Sequence, residues 1–98
     1  MSQSTNRQRA RFPLGDIVAT PGALDALREA QQEPLELLRR HQTGDWGNLD
    51  EEDKAENEFS LTHDLRLLSA YTLPTQVKIW VITEADRSVT TLLLPQEY

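Results

Sequence analysis

From Leu65 onward the chain alternates with a period of two. Leu65, Leu67, Tyr71 and Leu73 fall on one side, and Arg66, Leu68, Ala70 and Thr72 on the other, as side chains do along a β-strand. After Pro74-Thr75-Gln76, which read as a turn, Val77 to Thr83 is apolar on both faces, with Val77, Ile79 and Val81 on one and Trp80 and Ile82 on the other. A strand apolar on both faces belongs in the middle of a sheet. Glu84 to Arg87 then supplies a tight connection to a third strand, Ser88 to Leu94, which Pro95 stops. The pattern predicts an antiparallel meander with the Val77 strand at its centre.

Upstream, the spacing is helical. Thr20-Pro21 caps and starts a helix to about Gln31, with Ala23, Leu24, Leu27 and Ala30 at three- and four-residue steps. Pro34 starts a second helix through Leu35, Leu37 and Leu38, whose last turn carries Arg39, Arg40 and His41 toward the negative end of the dipole, with Gly44 as its stop. A third helix runs from about Glu51 to Leu61, capped by Asn48 or Asp50. With Ala55 and Phe59 as its only inward pair before Leu61, it is expected on the surface. A short strand precedes the helices across Leu14 to Ala19. The fold class is therefore α+β: an N-terminal strand and about three helices packed on a C-terminal three-stranded antiparallel meander. Helices can cover one face of so small a sheet, so Trp80, Leu92 and Leu94 are expected at a self-association or partner surface on the other.

With 98 residues the chain has room for one core. Residues 1–11 read as a disordered basic arm carrying Arg7, Arg9 and Arg11, and residues 12–98 as a single domain. The sequence has no cysteine, which excludes a disulfide framework, a cysteine nucleophile and thiolate metal sites. No apolar run approaches a bilayer span and no signal-like segment opens the chain, so the expected setting is the cytoplasm without membrane attachment.

Charge sharpens the picture because the net −6 is not diffuse. Asp45 to Glu58 holds seven carboxylates (Asp45, Asp50, Glu51, Glu52, Asp53, Glu56, Glu58) against Lys54, while nine acids and nine bases elsewhere cancel. Three chemistries compete for this stretch. Calcium or magnesium ligation needs oxygens at alternate positions, a central glycine and a closing glutamate; Asp45, Asn48 and Asp50 alternate poorly and helix formers follow, so no metal or cofactor is expected. Carboxylate catalysis needs one acid held neutral by burial, which a surface helix does not offer. Neither GxSxG, a P-loop nor GxGxxG occurs, and the chain reads as a non-enzyme. The third reading is a contact surface: a row of carboxylates can stand in for a phosphate backbone and dock on a basic, nucleic-acid-handling protein. Its residues are Asp45, Trp46, Asp50, Glu51, Asp53, Glu56 and Glu58, where Trp46 is either a binding anchor or a lid folded back on the core. The plain reading of the same acids is a helix start, whose first turn favours negative charge. The acidic folded part leaves direct nucleic-acid binding only to Arg7, Arg9 and Arg11. The alternative is a small enzyme or ligand-binding domain using the Glu84 to Ser88 hairpin, with Glu84, Asp86 and Arg87 as its polar site, against a plain turn with a Glu84 to Arg87 cross-strand pair.

The stretches IVATPGAL, GDWGNLDEEDKAEN, LRLLSAYTL and KIWVITEADRSVTTLLLPQEY together resemble a family of small plasmid- and phage-borne bacterial proteins, some labelled type I restriction endonuclease subunit M, over about residues 12–98. The chain departs from that pattern at Leu61-Thr62-His63-Asp64, where the family carries a glycine-containing turn. The resemblance implies a mobile-element origin and an accessory or counter-defence role against a restriction or CRISPR component. It does not imply methyltransferase chemistry, because the chain holds neither a cofactor-binding glycine motif nor an Asn-Pro-Pro loop.

Overall fold

The structure, a computed structural model, describes residues 9–98. In chain order it contains β1 (Asp16–Ala19), α1 (Pro21–Ala30), α2 (Pro34–Gln42), α3 (Glu51–His63), β2 (Leu67–Thr72), β3 (Lys78–Thr83) and β4 (Val89–Leu93), followed by a 3-10 turn, Pro95–Glu97. The fold is α+β, with the C-terminal strands forming the expected meander. The sheet has a fourth member: its order is β1-β4-β3-β2, and β1 runs parallel to β4 while the other neighbours are antiparallel.

The helix starts follow from local chemistry. The Thr20 side chain accepts the Ala23 N–H at 3.1 Å and Pro21 occupies the first turn of α1. Asp50 accepts the Asp53 N–H at 2.8 Å at the start of α3. The helix continues to His63, and Asp64 itself takes the left-handed conformation, φ 52°, that a glycine would otherwise supply.

One face of the sheet carries Tyr71, Leu73, Ile79, Val81 and Leu92 against Ala23, Ala26 and Leu27 of α1 and Leu37 and Leu38 of α2. Full burial of each large apolar side chain contributes about 1.5–3 kcal/mol, so this layer anchors the domain. Phe12, Trp46 and Leu67 form a smaller cluster beside it. By strand alternation the opposite face carries Leu68, Ala70, Trp80, Ile82 and Leu93. There the C-terminal turn lays Tyr98 edge-on to Trp80, ring centroids 5.6 Å apart, while Arg66 donates to the Tyr98 hydroxyl at 2.7 Å.

Three sequence expectations are corrected here. Trp80 pairs with Leu93 and Val81 with Leu92, so Leu92 is only 1% exposed in the main core and cannot belong to a surface patch. Leu94 packs against the same core from beyond the end of β4. The inward side chains of α3 are polar: Asn57 and Ser60 are buried, whereas Phe59 is 51% exposed and stacks on His63. Finally, Arg11 is no part of a free arm. Its guanidinium pairs with both carboxylate oxygens of Glu58, at 3.0 and 2.8 Å, and its N–H donates to Gln42. Arg9 is exposed and Arg7 lies outside the described residues.

Candidate functional site

The acidic stretch divides into two populations. One is committed to the fold. The Arg40 guanidinium, 2.7 Å from Asp45, holds that carboxyl below the usual carboxylate range, and the Asp45 carbonyl accepts the Tyr71 hydroxyl. Glu58 is held low chiefly by Arg11, and it also accepts the Trp46 indole N–H at 3.0 Å. Trp46 itself is 4% exposed, its ring stacked on Phe12 at 6.4 Å. Of its two sequence readings, the lid on the core is the one the geometry realises, and no partner can use a buried indole as an anchor. Asp50 is occupied as the α3 cap.

The other population faces outward. Glu51, Glu52, Asp53 and Glu56 are exposed, with Glu51 only loosely approached by Lys54 at 3.7 Å. Four carboxylates between positions 51 and 56 fall within about 8 Å of helix axis, or one per ~2 Å. Duplex DNA carries one charge per about 1.7 Å of its axis. Lys54 offsets one of the four, so the net density is one charge per ~2.5 Å, about two-thirds that of the duplex.

Two of these acids, Asp53 and Glu56, border a concavity of about 350 Å³ between α3 and the second face of the sheet, lined also by Leu49, Asn57, Arg66, Leu68 and Trp80. Two features that the sequence places apart, the acidic helix and Trp80, thus meet in one groove. Its floor is Leu49, Leu68 and Trp80, and two of its walls are the carboxylates of Asp53 and Glu56. Arg66, also part of the lining, has its guanidinium engaged by Glu84, at 3.2 Å, and by the Tyr98 hydroxyl. An apolar floor beneath paired carboxylates suits a side chain with an aliphatic stem and a cationic head, the stem lying on the indole.

The hairpin residues do not converge. Glu84 pairs with Arg66, correcting the expected Glu84 to Arg87 pair; Asp86 accepts from the Ser88 backbone and hydroxyl; and Arg87 turns inward, donating to the carbonyls of Leu65, Ser60, Glu84 and Ala85. In that position Arg87 satisfies the carbonyl end of α3, where cationic donors are favoured.

A buried polar relay went unread in the sequence. His41 is 0% exposed, with Nδ1 2.6 Å from Ser69 Oγ and Nε2 2.9 Å from Thr83 Oγ1. Thr83 Oγ1 lies 2.7 Å from Thr90 Oγ1, which donates to the Leu14 carbonyl at 2.7 Å. A carbonyl only accepts, and this fixes every proton along the line. Thr90 donates to Leu14, so Thr83 donates to Thr90, His41 Nε2–H donates to Thr83, and Ser69 donates to the bare Nδ1. Burial, with Arg87 nearby, lowers the imidazole pKa to about 3, so the ring is neutral. The four side chains are buried, and only the Leu14 end of the line is partly exposed. The signal that could have found it is spacing: His41 follows Leu37 and Leu38 at four and three residues, on the apolar side of α2.

Among the described residues no group of three or more His, Cys, Asp or Glu side chains is placed to hold a metal ion, and no helix is long and apolar enough to cross a membrane. Comparison with protein families, with curated proteins and with solved structures finds no match for this chain.

Proposed function

We propose that the protein is a non-enzymatic binding protein that docks the outward carboxylates of α3 and the adjoining groove on a basic protein surface, one that otherwise holds nucleic acid. The observation that carries this reading is the groove itself. Of the acids left over after internal pairing, Asp53 and Glu56 line an apolar floor that includes Trp80, and Glu51 and Glu52 are exposed on the first turn of the same helix. A charge density about two-thirds that of duplex DNA supports fast, salt-dependent capture of a basic cleft, and the floor adds what a phosphate backbone lacks, an apolar seat for a lysine or arginine stem. The sequence resemblance to mobile-element proteins adds the partner class, a restriction or CRISPR component of the bacterial host, with the cytoplasm as the place of action.

The test spares the residues that hold the fold. Glu51, Glu52, Asp53 and Glu56 are changed together to lysine, leaving Asp45, Asp50 and Glu58 in place. Partner capture by the natural chain should fall steeply with added salt and be competed by duplex DNA, and the four-lysine variant should lose it while still unfolding cooperatively, its melting temperature lowered by the three first-turn charges it reverses. Capture that survives the reversal, or that DNA does not compete, removes the proposal.

A further inference from the structure

The two edges of the sheet are finished differently. On the outer side of β2, Asn57 donates to the Leu68 carbonyl and accepts its N–H. Ala70 N–H donates to Trp46, Ala70 C=O accepts Asn48 N–H, and Thr72 N–H donates to the Asn48 side chain. That edge is closed. At β1, Asp16 N–H and Thr20 N–H donate inward to Ser88 and Leu92 of the β4 side. Strand alternation therefore turns the N–H and C=O groups of Ile17 and Ala19 outward. Among the described residues nothing is hydrogen-bonded across this edge, and Ile17 and Val18 are 45% and 46% exposed.

We propose that β1 pairs with β1 of a second copy of this chain, antiparallel about a twofold axis at Val18, to make one continuous eight-stranded sheet. The register is self-complementary. It sets Ile17 opposite Ala19 of the other copy, so that their outward N–H and C=O groups bond to each other. It sets Val18 opposite Val18 and Asp16 opposite Thr20, whose hydroxyl donates to Glu97. A chain of net charge −6 repels its own kind, but the acids lie against α3 on the β2 side. That is three strand spacings, about 14 Å, from β1, beyond the screening length of about 8 Å at physiological salt. A four-residue strand pair buries less than the roughly 1,200 Å² of a stable interface, so the dimer is a weak one and is best read by trapping it.

The chain has no cysteine, and Val18→Cys therefore introduces a single reporter. At the twofold its Cβ is within about 4.5–5.5 Å of its mate, close enough for a disulfide after a small adjustment. Under mild oxidation of the full chain, Val18→Cys should form crosslinked dimer about tenfold faster than Asp25→Cys on exposed α1, because only the former is held at the symmetric position. Adding Ile17→Pro removes an outward donor and no bond to β4, and it should return the rate to the control level while the melting temperature confirms folding. Equal rates for Val18→Cys and Asp25→Cys, or a rate that Ile17→Pro leaves unchanged, overturn the proposal. So does a rate that rises from the control level only after residues 1–8 are removed, which would assign the edge to the chain's own arm.

Discussion

The β2 edge and the β1 edge belong to one sheet, and they show two ways of ending it. At β2 an irregular stretch, Trp46 to Asn48, lies against the strand as a surrogate neighbour, with Asn57 from α3 serving the next pair of backbone groups. At β1 the strand simply stops, short and with its apolar side chains half in solvent. An exposed edge is a template for pairing. The difference teaches that most of the stretch once read as a contact surface is first an edge cover, and that its leftover acids became available because the cover holds α3 in place.

The contrast breaks most sharply at Gly47. Its φ of 78° favours glycine, and a Cβ there would overlap the Ala70 carbonyl and press on the Tyr71 ring. Gly47→Ala should therefore pull the surrogate strand away, losing the backbone bonds at Ala70 as well as the left-handed turn. The cost should be about 4–5 kcal/mol, combining ~1–2 for the conformation with ~1–3 for each buried group left unpaired. Chemical denaturation measures it, and a loss below about 1 kcal/mol would show that the cover relaxes around a side chain.

The buried relay ties the two edges together, from Ser69 on β2 to the Leu14 carbonyl just before β1. Its weak point is acid. His41 has a folded pKa of about 3 against about 6.5 unfolded, so below pH 6.5 the unfolded chain binds the extra proton and the folded chain does not. The stability that the neutral ring supports is complete well above pH 6.5 and falls as pH drops toward 3, by at most on the order of 5 kcal/mol. Asp45 and Glu58 are held below the usual carboxylate range and add their own loss only at more acid pH. A His41→Gln variant should be less stable at neutral pH and should lose the dependence between pH 6.5 and 5. If that slope persists in the variant, its source lies elsewhere than His41.

Much of the fold was legible because its signals are local. Thr20-Pro21, Pro34 and Asp50 announce helix starts by chemistry within one turn, and the meander shows in the alternation of Leu67 to Leu73 and of Val77 to Thr83. What escaped is non-local or irregular. The partner of β1 lies some seventy residues away on β4; the cover over β2 has no period to read; and Leu92 was assigned to the wrong face because parity along a strand fails on a one-residue error. The groove was half legible. Asp53, Glu56 and Trp80 were each singled out, but their meeting depends on α3 crossing the β2 edge, which is set by the polar Asn57 rather than by the apolar Phe59 that the helical pattern favours.

Asn57 therefore offers the gentlest way to sharpen the comparison between the edges. Asn57→Ala removes a side chain that bonds both the N–H and the C=O of Leu68, at 3.1 and 2.7 Å, from a buried position. The loss should be about 2 kcal/mol, softened by water reaching the newly opened edge. The matching change at the other edge, Val18→Thr, touches a half-exposed, β-branched position and should move the stability of the dilute chain by less than about 0.5 kcal/mol. Hydrogen exchange distinguishes the two cases by place as well as size. In Asn57→Ala the Leu68 and Ala70 amides should lose protection together, because the cover is one unit, while in Val18→Thr the outward Ile17 and Ala19 amides of the dilute chain should exchange as fast as before. If the two substitutions cost the same, the β2 edge is no more firmly closed than β1, and the asymmetry would not survive as an account of how α3 is presented.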